Sequence, residues 1–447
     1  MSRGICSIKI GISPKLLAKN VAVVASAFVW YFFAYTIITR SSEAINVGSS
    51  DNILIVGAET VGIAVSAVIG SLLVSRYSKK QRFLTYWMIA GVFLSLAPLF
   101  LSLSTVGGLI AVSAIFGSYF GLGMPATMGF FASSTTTENR GRTGGITFLA
   151  IGLAFFAIGN LGFESTIVAS AVLAGIRLAG FALFFLLGSK EDIPVRQSKS
   201  TYRSILRERS FVLYLVPWVM FNVVDYLTIS VMNTFITDIN FIRMSSVFEN
   251  GLMAVFAVLT GFLVDIKGRK RLAIFGFAFL GIGYATLGIL QNSGWLLYTI
   301  SDGIAWGSFN VLFLFVLWGD IAQGKDSEKF YVLGALPYLL SNLMYLVFDP
   351  IAKSLIKSSQ IFTFASFFLF LAVLPLVIAP ETLSEKVMKE LELKTYLEKA
   401  KKIAEKAQEK SEDDREESIE EQTEDSVEFE VKQEELECAE ELAQKYY

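Results

Sequence analysis

The sequence predicts an all-α membrane protein: twelve transmembrane helices in two six-helix, pseudo-symmetric bundles, followed by an acidic helical tail. Three observations predict it. Of 447 residues, 53% are hydrophobic and only 17% charged, where soluble domains run near a quarter charged. The apolar residues fall in unbroken runs long enough to cross the ~30 Å of hydrocarbon that a helix spans with ~20 residues. The charge is also split along the chain. Residues 1–380 hold 27 Lys and Arg against 17 Asp and Glu, whereas residues 381–447 hold 11 against 23.

The twelve runs are 21–39, 53–74, 84–103, 109–131, 145–163, 166–188, 211–236, 247–264, 272–291, 295–318, 331–349 and 361–379. They are continuous rather than alternating, which disfavours a transmembrane barrel. The segments in order are a basic N-terminus (1–20), a first six-helix bundle (21–188), a charged central loop (189–210), a second six-helix bundle (211–380) and the acidic tail (381–447). With the N-terminus inside, 22 basic residues fall in inside loops and four, Arg40, Arg243, Lys353 and Lys357, in outside ones. This bias predicts a multi-pass protein of the cell membrane with both termini cytoplasmic.

Composition also removes whole classes of function. Histidine is absent, and Cys6 and Cys438 lie at opposite ends. No zinc site, disulfide framework or histidine-based triad can be assembled, so neither an enzyme nor a bound metal or cofactor is expected. Basic residues scattered over short loops do not make a nucleic-acid surface. The expected partners are the lipid bilayer, a small-molecule solute and protons.

The halves echo each other. Ser71-Leu72-Leu73-Val74-Ser75-Arg76-Tyr77-Ser78-Lys79-Lys80 follows the second run, and Gly261-Phe262-Leu263-Val264-Asp265-Ile266-Lys267-Gly268-Arg269-Lys270 follows the eighth. A repeat of this kind marks a duplicated transporter. The segment Gly261-x-x-x-Asp265-x-x-Gly268-Arg269-Lys270 resembles the loop signature of the major facilitator superfamily, and the resemblance extends over residues 20–380. Glu138-Asn139-Arg140-Gly141-Arg142 is similar to an element that opens span five in that family, and Pro380-Glu381-Thr382 to the ending of its sugar porters. The resemblance implies that Gly261, Asp265, Gly268, Arg269 and Lys270 form a cytoplasmic gate. Asp265 would pair with Arg269 or cap a neighbouring helix, and Gly268 would permit a tight turn. The first-half copy departs from the signature, with Ser75 in place of Asp and Ser78 in place of Gly. Gly117, four residues before Gly121-Leu122-Gly123, stands where the family often carries a proton-coupling Arg.

An ionisable group inside a span costs at least about 2.5–3.5 kcal/mol at its centre and is a functional candidate. Glu59, Arg177, Asp225 and Asp302 stand out in this chain. Asp225 belongs to a polar stripe with Asn222, Tyr226, Ser230, Asn233 and Thr237 at helical spacing. Asp302 lines up with Trp306 and Asn310, and Tyr31 with Tyr35 and Thr39. Tyr338, Ser341, Asn342, Tyr345 and Asp349 make a fourth stripe. Glu59 is placed six residues into its span, within reach of the outer headgroups. The resemblance implies that spans 1, 4, 7 and 10 line a central cavity, which directs Asp225 and Asp302 to the substrate path and Arg177 to a structural role.

Asn222, Asp225, Tyr226, Asp302, Trp306, Asn310, Tyr31, Tyr35 and Glu59 are therefore the candidate substrate and coupling residues. Directional hydrogen bonds beside flat aromatic faces suit a small polar solute, sugar-like or organic-acid-like. The expected function is secondary active transport by alternating access, with proton coupling through Asp225. An efflux permease and a non-transporting membrane receptor or scaffold are the alternatives. The tail is expected to be helical over 383–410, acidic and disordered over 411–426, and helical again over 427–445.

Overall fold

The computed structural model describes residues 13–76, 80–159, 165–188, 198–235, 239–355 and 358–383, with scattered positions between 389 and 404. The chain divides into two compact units, Met1–Ser384 and Glu385–Tyr447. The described positions of the second unit are helical, and the expected acidic stretch of the tail lies outside the described residues.

Among the described residues, the first unit holds twelve long helices. They are α1 (Pro14–Ala44), α2 (Ser49–Arg76), α3 (Lys80–Phe100), α4 (Val106–Ser134), α5 (Arg140–Gly159) and α6 (Thr166–Leu186), then α7 (Arg209–Phe235), α8 (Ile239–Lys267), α9 (Arg269–Leu290), α10 (Trp295–Ala322), α11 (Ser327–Leu355) and α12 (Ser358–Ile378). Among the described residues, eleven are long and apolar enough to cross a membrane. The twelfth, α5, opens on Arg140 and Arg142. Large apolar side chains such as Phe93, Phe100, Phe185, Leu186 and Ile289 are exposed, the surface that lipid rather than water covers.

Several boundaries differ from the sequence expectation. Helix α1 begins seven residues early, at Pro14, and carries a π turn over Val21–Ala25. Proline is tolerated there because a first-turn N–H has no helical acceptor. Helix α8 begins at Ile239 rather than 247. Polar Asn240, Ser245 and Ser246 lower the apolarity of that stretch without breaking the helix.

The halves use the same pairings. Helix α2 packs on α4 as α8 packs on α10; α3 packs on α6 as α9 packs on α12; α1 touches α6 as α7 touches α12. The halves meet where α5 lies on α8 and where α2 lies on α11. Glycines set the closest approaches. A Cβ at Gly117 or Gly121 of α4 would run into the α2 backbone at Glu59 or Ile63. At Gly303 of α10 it would lie 2.9 Å from the Glu249 carbonyl oxygen of α8, and at Gly307 2.5 Å from that of Met253. Small residues thus let backbones touch in each half.

Candidate functional site

Charged side chains from both halves meet at the end of the bundle that carries the signature loops. Asp265, at the end of α8, accepts the backbone N–H of Gly141 and of Arg142, both at 3.0 Å, and the Arg142 Nε at 3.1 Å. These are the free donors of the first turn of α5, where a carboxylate is favoured by the helix dipole. Arg269 lies 3.4 Å from the same carboxylate. Both expected contacts of Asp265 are present, the pairing and the cap.

The network reaches further than the signature. Asp320, fully buried near the end of α10, accepts Arg269 Nε at 2.8 Å and also pairs with Arg140. Glu381 caps α9 by accepting the N–H of Arg269 at 2.9 Å and of Lys270 at 3.1 Å. Gly268, between them, has φ 95° and ψ 158°, a region essentially closed to side chains. A Cβ there would stand 2.5 Å from the Glu381 carboxylate. Gly268→Ala is therefore expected to destabilise the protein by about 1–3 kcal/mol through backbone strain, read as a lower thermal midpoint in detergent. An unchanged midpoint would remove the turn from the account.

The first-half copy works differently. Ser75 turns its hydroxyl back onto the Leu72 carbonyl at 3.0 Å. The acid instead belongs to α11 itself: Glu328, in that helix's first turn and 1% exposed, accepts Lys80 Nζ at 2.6 Å. An acid at a helix start is favoured by the dipole from either side of the contact.

A second group of acids lies within the spans. Glu59 and Glu249 each stand ten residues into their helices, about 15 Å along at 1.5 Å per residue. Glu59 is 3% exposed, so the headgroup placement is corrected: the Gly117 contact draws α4 over it. Asp302 faces Glu249, with Tyr298 beside it. Asp225 lies beside Trp306 and Tyr284. The Tyr284 hydroxyl is fixed at 2.8 Å from Thr228 Oγ1. Trp306 meets Phe221 edge-on at 4.8 Å and Tyr338 at 6.1 Å. Across the midline, Tyr31 is near Glu59, Tyr35, Tyr226 and Tyr338. The structure therefore brings Tyr31, Tyr35 and Glu59 of the first half together with Asp225, Tyr226, Asp302 and Trp306 of the second.

In two candidates the amide nitrogen is already engaged within the bundle. Asn222 donates to the Trp218 carbonyl at 2.7 Å, and Asn310 turns its amide to the Met253 sulfur of α8 at 3.7 Å. A π turn starts at Asn310 and ends at Val316, so helical spacing from Asp302 no longer holds past that residue. The side chains of Ser230, Asn233, Asn342 and Asp349, and Thr237, lie outside the described residues.

A family model described as Major Facilitator Superfamily matches residues 20–317. The chain belongs to this superfamily. It is thus a multi-pass membrane protein of a transporter family. Three solved structures are similar to it. The human organic anion transporter MFSD10 (TETRAN) is 13% identical over 82% of this chain and 100% of that one, with a TM-score of 0.56. The proton:xylose symporter XylE bound to 6-bromo-6-deoxy-D-glucose is 17% identical over 82% and 96%, at 0.59. The E. coli fucose:proton symporter FucP is 9% identical over 81% and 98%, at 0.62. At these identities the likeness is one of fold. No curated protein sequence matches the chain.

In this major facilitator chain the two halves share one register. The offset of 190 residues that carries Ser71 to Gly261 also carries Glu59 to Glu249, Gly117 to Gly307 and Gly129 to Gly319. Each half thus sets a glutamate beside a glycine of the partner helix, Glu59 by Gly117 and Glu249 by Gly303, with Glu59 buried and Glu249 half-buried. Asp225 occupies the position equivalent to Tyr35, so at that position the second half carries an acid where the first carries a phenol.

Arg177 has no carboxylate partner among the described residues. Its guanidinium lies 4.2 Å over the Trp87 ring and 5.6 Å from that of Tyr119, and donates to Ser26 Oγ at 3.2 Å. Cation–π contact in a dry site, worth about 2 kcal/mol or more, holds it there.

Proposed function

We propose that the chain is a secondary active transporter that moves a small polar solute by alternating access, coupled to protons through Asp225, Glu249 and Asp302. The observation that carries this reading is the meeting of three carboxyl groups from α7, α8 and α10 inside the spans, ringed by Tyr284, Tyr298 and Trp306. Such groups are too costly in a membrane to be retained for packing alone. A carboxyl group that moves between wet and dry surroundings binds a proton on one side and releases it on the other.

The network around Asp265, Arg269 and Asp320 acts in this reading as the gate. It joins the two halves on one side and must break for the other access state, the bistable contact that alternation needs. The face bearing the signature loops is cytoplasmic by the 22-to-4 distribution of basic residues, and the protein resides in the cell membrane.

The test is internal pH in proteoliposomes challenged with pools of sugars, carboxylates, amino acids and organic cations. Wild-type protein should show solute-dependent proton movement, and Asp225→Asn should lose it. A folded wild-type protein that moves no protons with any pool would overturn coupled transport.

A further inference from the structure

We propose that the path between the bundles accepts an organic cation, a protonated amine or quaternary ammonium, which competes with the proton for the Glu249–Asp302 pair. The inference rests on the transporter reading above and adds the substrate class to it.

Charge is the first argument. Glu59, Asp225 and Asp302 are buried within the spans, and Glu249, beside Asp302, is half-buried. The only basic residue in the middle of any span is Arg177, and it is held by Trp87, Tyr119 and Ser26 on the far side of the first bundle. Among the described residues, no Lys or Arg stands against any of the four acids. An anionic solute would enter a low-dielectric space already carrying acid and lacking a cation to receive it. The organic-acid-like solute expected from the sequence is the least compatible with this arrangement.

Hydrogen bonding gives an independent argument. Asp302 Oδ1, Asn222 Oδ1 and Asn310 Oδ1 are buried and have no hydrogen-bond partner, with their residues 3%, 1% and 3% exposed. All three are acceptors. For Asn222 the assignment is fixed, because its amide nitrogen donates to the Trp218 carbonyl and only the oxygen remains free. Buried polar groups are normally satisfied, and a ligand that brings N–H donors or positive charge would satisfy these oxygens.

The third argument is the aromatic wall. Trp306 and Tyr338 lie 6.1 Å apart and roughly perpendicular, at 68°, and Tyr226 and Tyr31 are close by. Ring faces beside carboxylates are the surroundings that stabilise an ammonium ion. A neutral sugar could meet the acceptors but would leave the acids without a counter-charge. Since Glu249 and Asp302 face each other, the proton held there must leave when a cation arrives, which makes the process an exchange.

The test uses the purified full-length chain in weakly buffered detergent with a pH indicator, titrated separately with tetraphenylphosphonium, xylose and benzoate. Tetraphenylphosphonium should bind and release protons to solution, whereas xylose and benzoate should do neither. Glu249→Gln and Asp302→Asn should each weaken binding at least about tenfold and abolish the proton release. Both should keep the wild-type elution profile and thermal midpoint. Xylose or benzoate binding without tetraphenylphosphonium binding would overturn the cation proposal and leave the transporter reading intact. Binding of equal strength in both variants would overturn it by placing the cation elsewhere. Loss of proton movement with every pool in proteoliposomes is the separate result that removes the transporter reading.

Discussion

Asp320→Asn is expected to lower the thermal midpoint of the detergent-solubilised protein more than any other single change on the gate face. Asp320 is fully buried and serves two buried guanidinium groups, Arg140 of the first half and Arg269 of the second. Asparagine keeps the shape and removes the charge. Asp265 keeps its 3.4 Å contact with Arg269, so among the described residues the guanidinium left without a carboxylate is that of Arg140. Removing one partner of a buried ion pair costs about 3–5 kcal/mol, since the remaining charge stays out of water. The pair Lys325–Glu208, at 2.8 Å but with side chains 37% and 26% exposed, supplies the comparison. Cutting it with Lys325→Ala should cost under about 1 kcal/mol. The asparagine variant should also become more sensitive to trypsin at Arg140, because Asp320 ties the start of α5 to the other half. Equal midpoint shifts in the two variants would show that burial adds nothing to the network.

Much of this architecture is legible in the sequence, and the reason is the membrane. Every backbone group must be satisfied inside the hydrocarbon, so an apolar run of about 20 residues has one structure open to it. The signature loop was equally readable, because Gly268 and Asp265 are residue types that a tight turn and a helix cap require. What was missed lay just past the apolar runs. Asp320 falls two residues beyond the run 295–318. Glu249 falls at the edge of the run 247–264 but lies well inside α8, which starts at Ile239. A signal for Glu249 was present, since the offset relating Ser71 to Gly261 leads from Glu59 to it. The partners of Arg177 were not readable, because a guanidinium on ring faces leaves no charge pattern. The capping of α9 by Glu381 joins residues 112 positions apart and has no local sign either.

Glu249→Gln and Asp302→Asn are expected to be strongly non-additive in proton movement. Their carboxyl groups face each other across the α8–α10 contact that Gly303 and Gly307 make close. A proton held between two such oxygens belongs to the pair, so either substitution removes the site. Each single variant should lose most solute-driven acidification of proteoliposomes, at least about tenfold or 1.4 kcal/mol, and the double variant should lose little more. Groups that act as a unit behave in this way. Asp225 provides the internal comparison. It feels Glu249 through space but is seated on Trp306 and Tyr284. Asp225→Asn combined with Glu249→Gln should therefore fall less far short of additivity than the Glu249–Asp302 pair. Additive losses for Glu249 and Asp302 would mean two independent carboxyl sites, and the exchange of one proton for one cation would lose its physical basis.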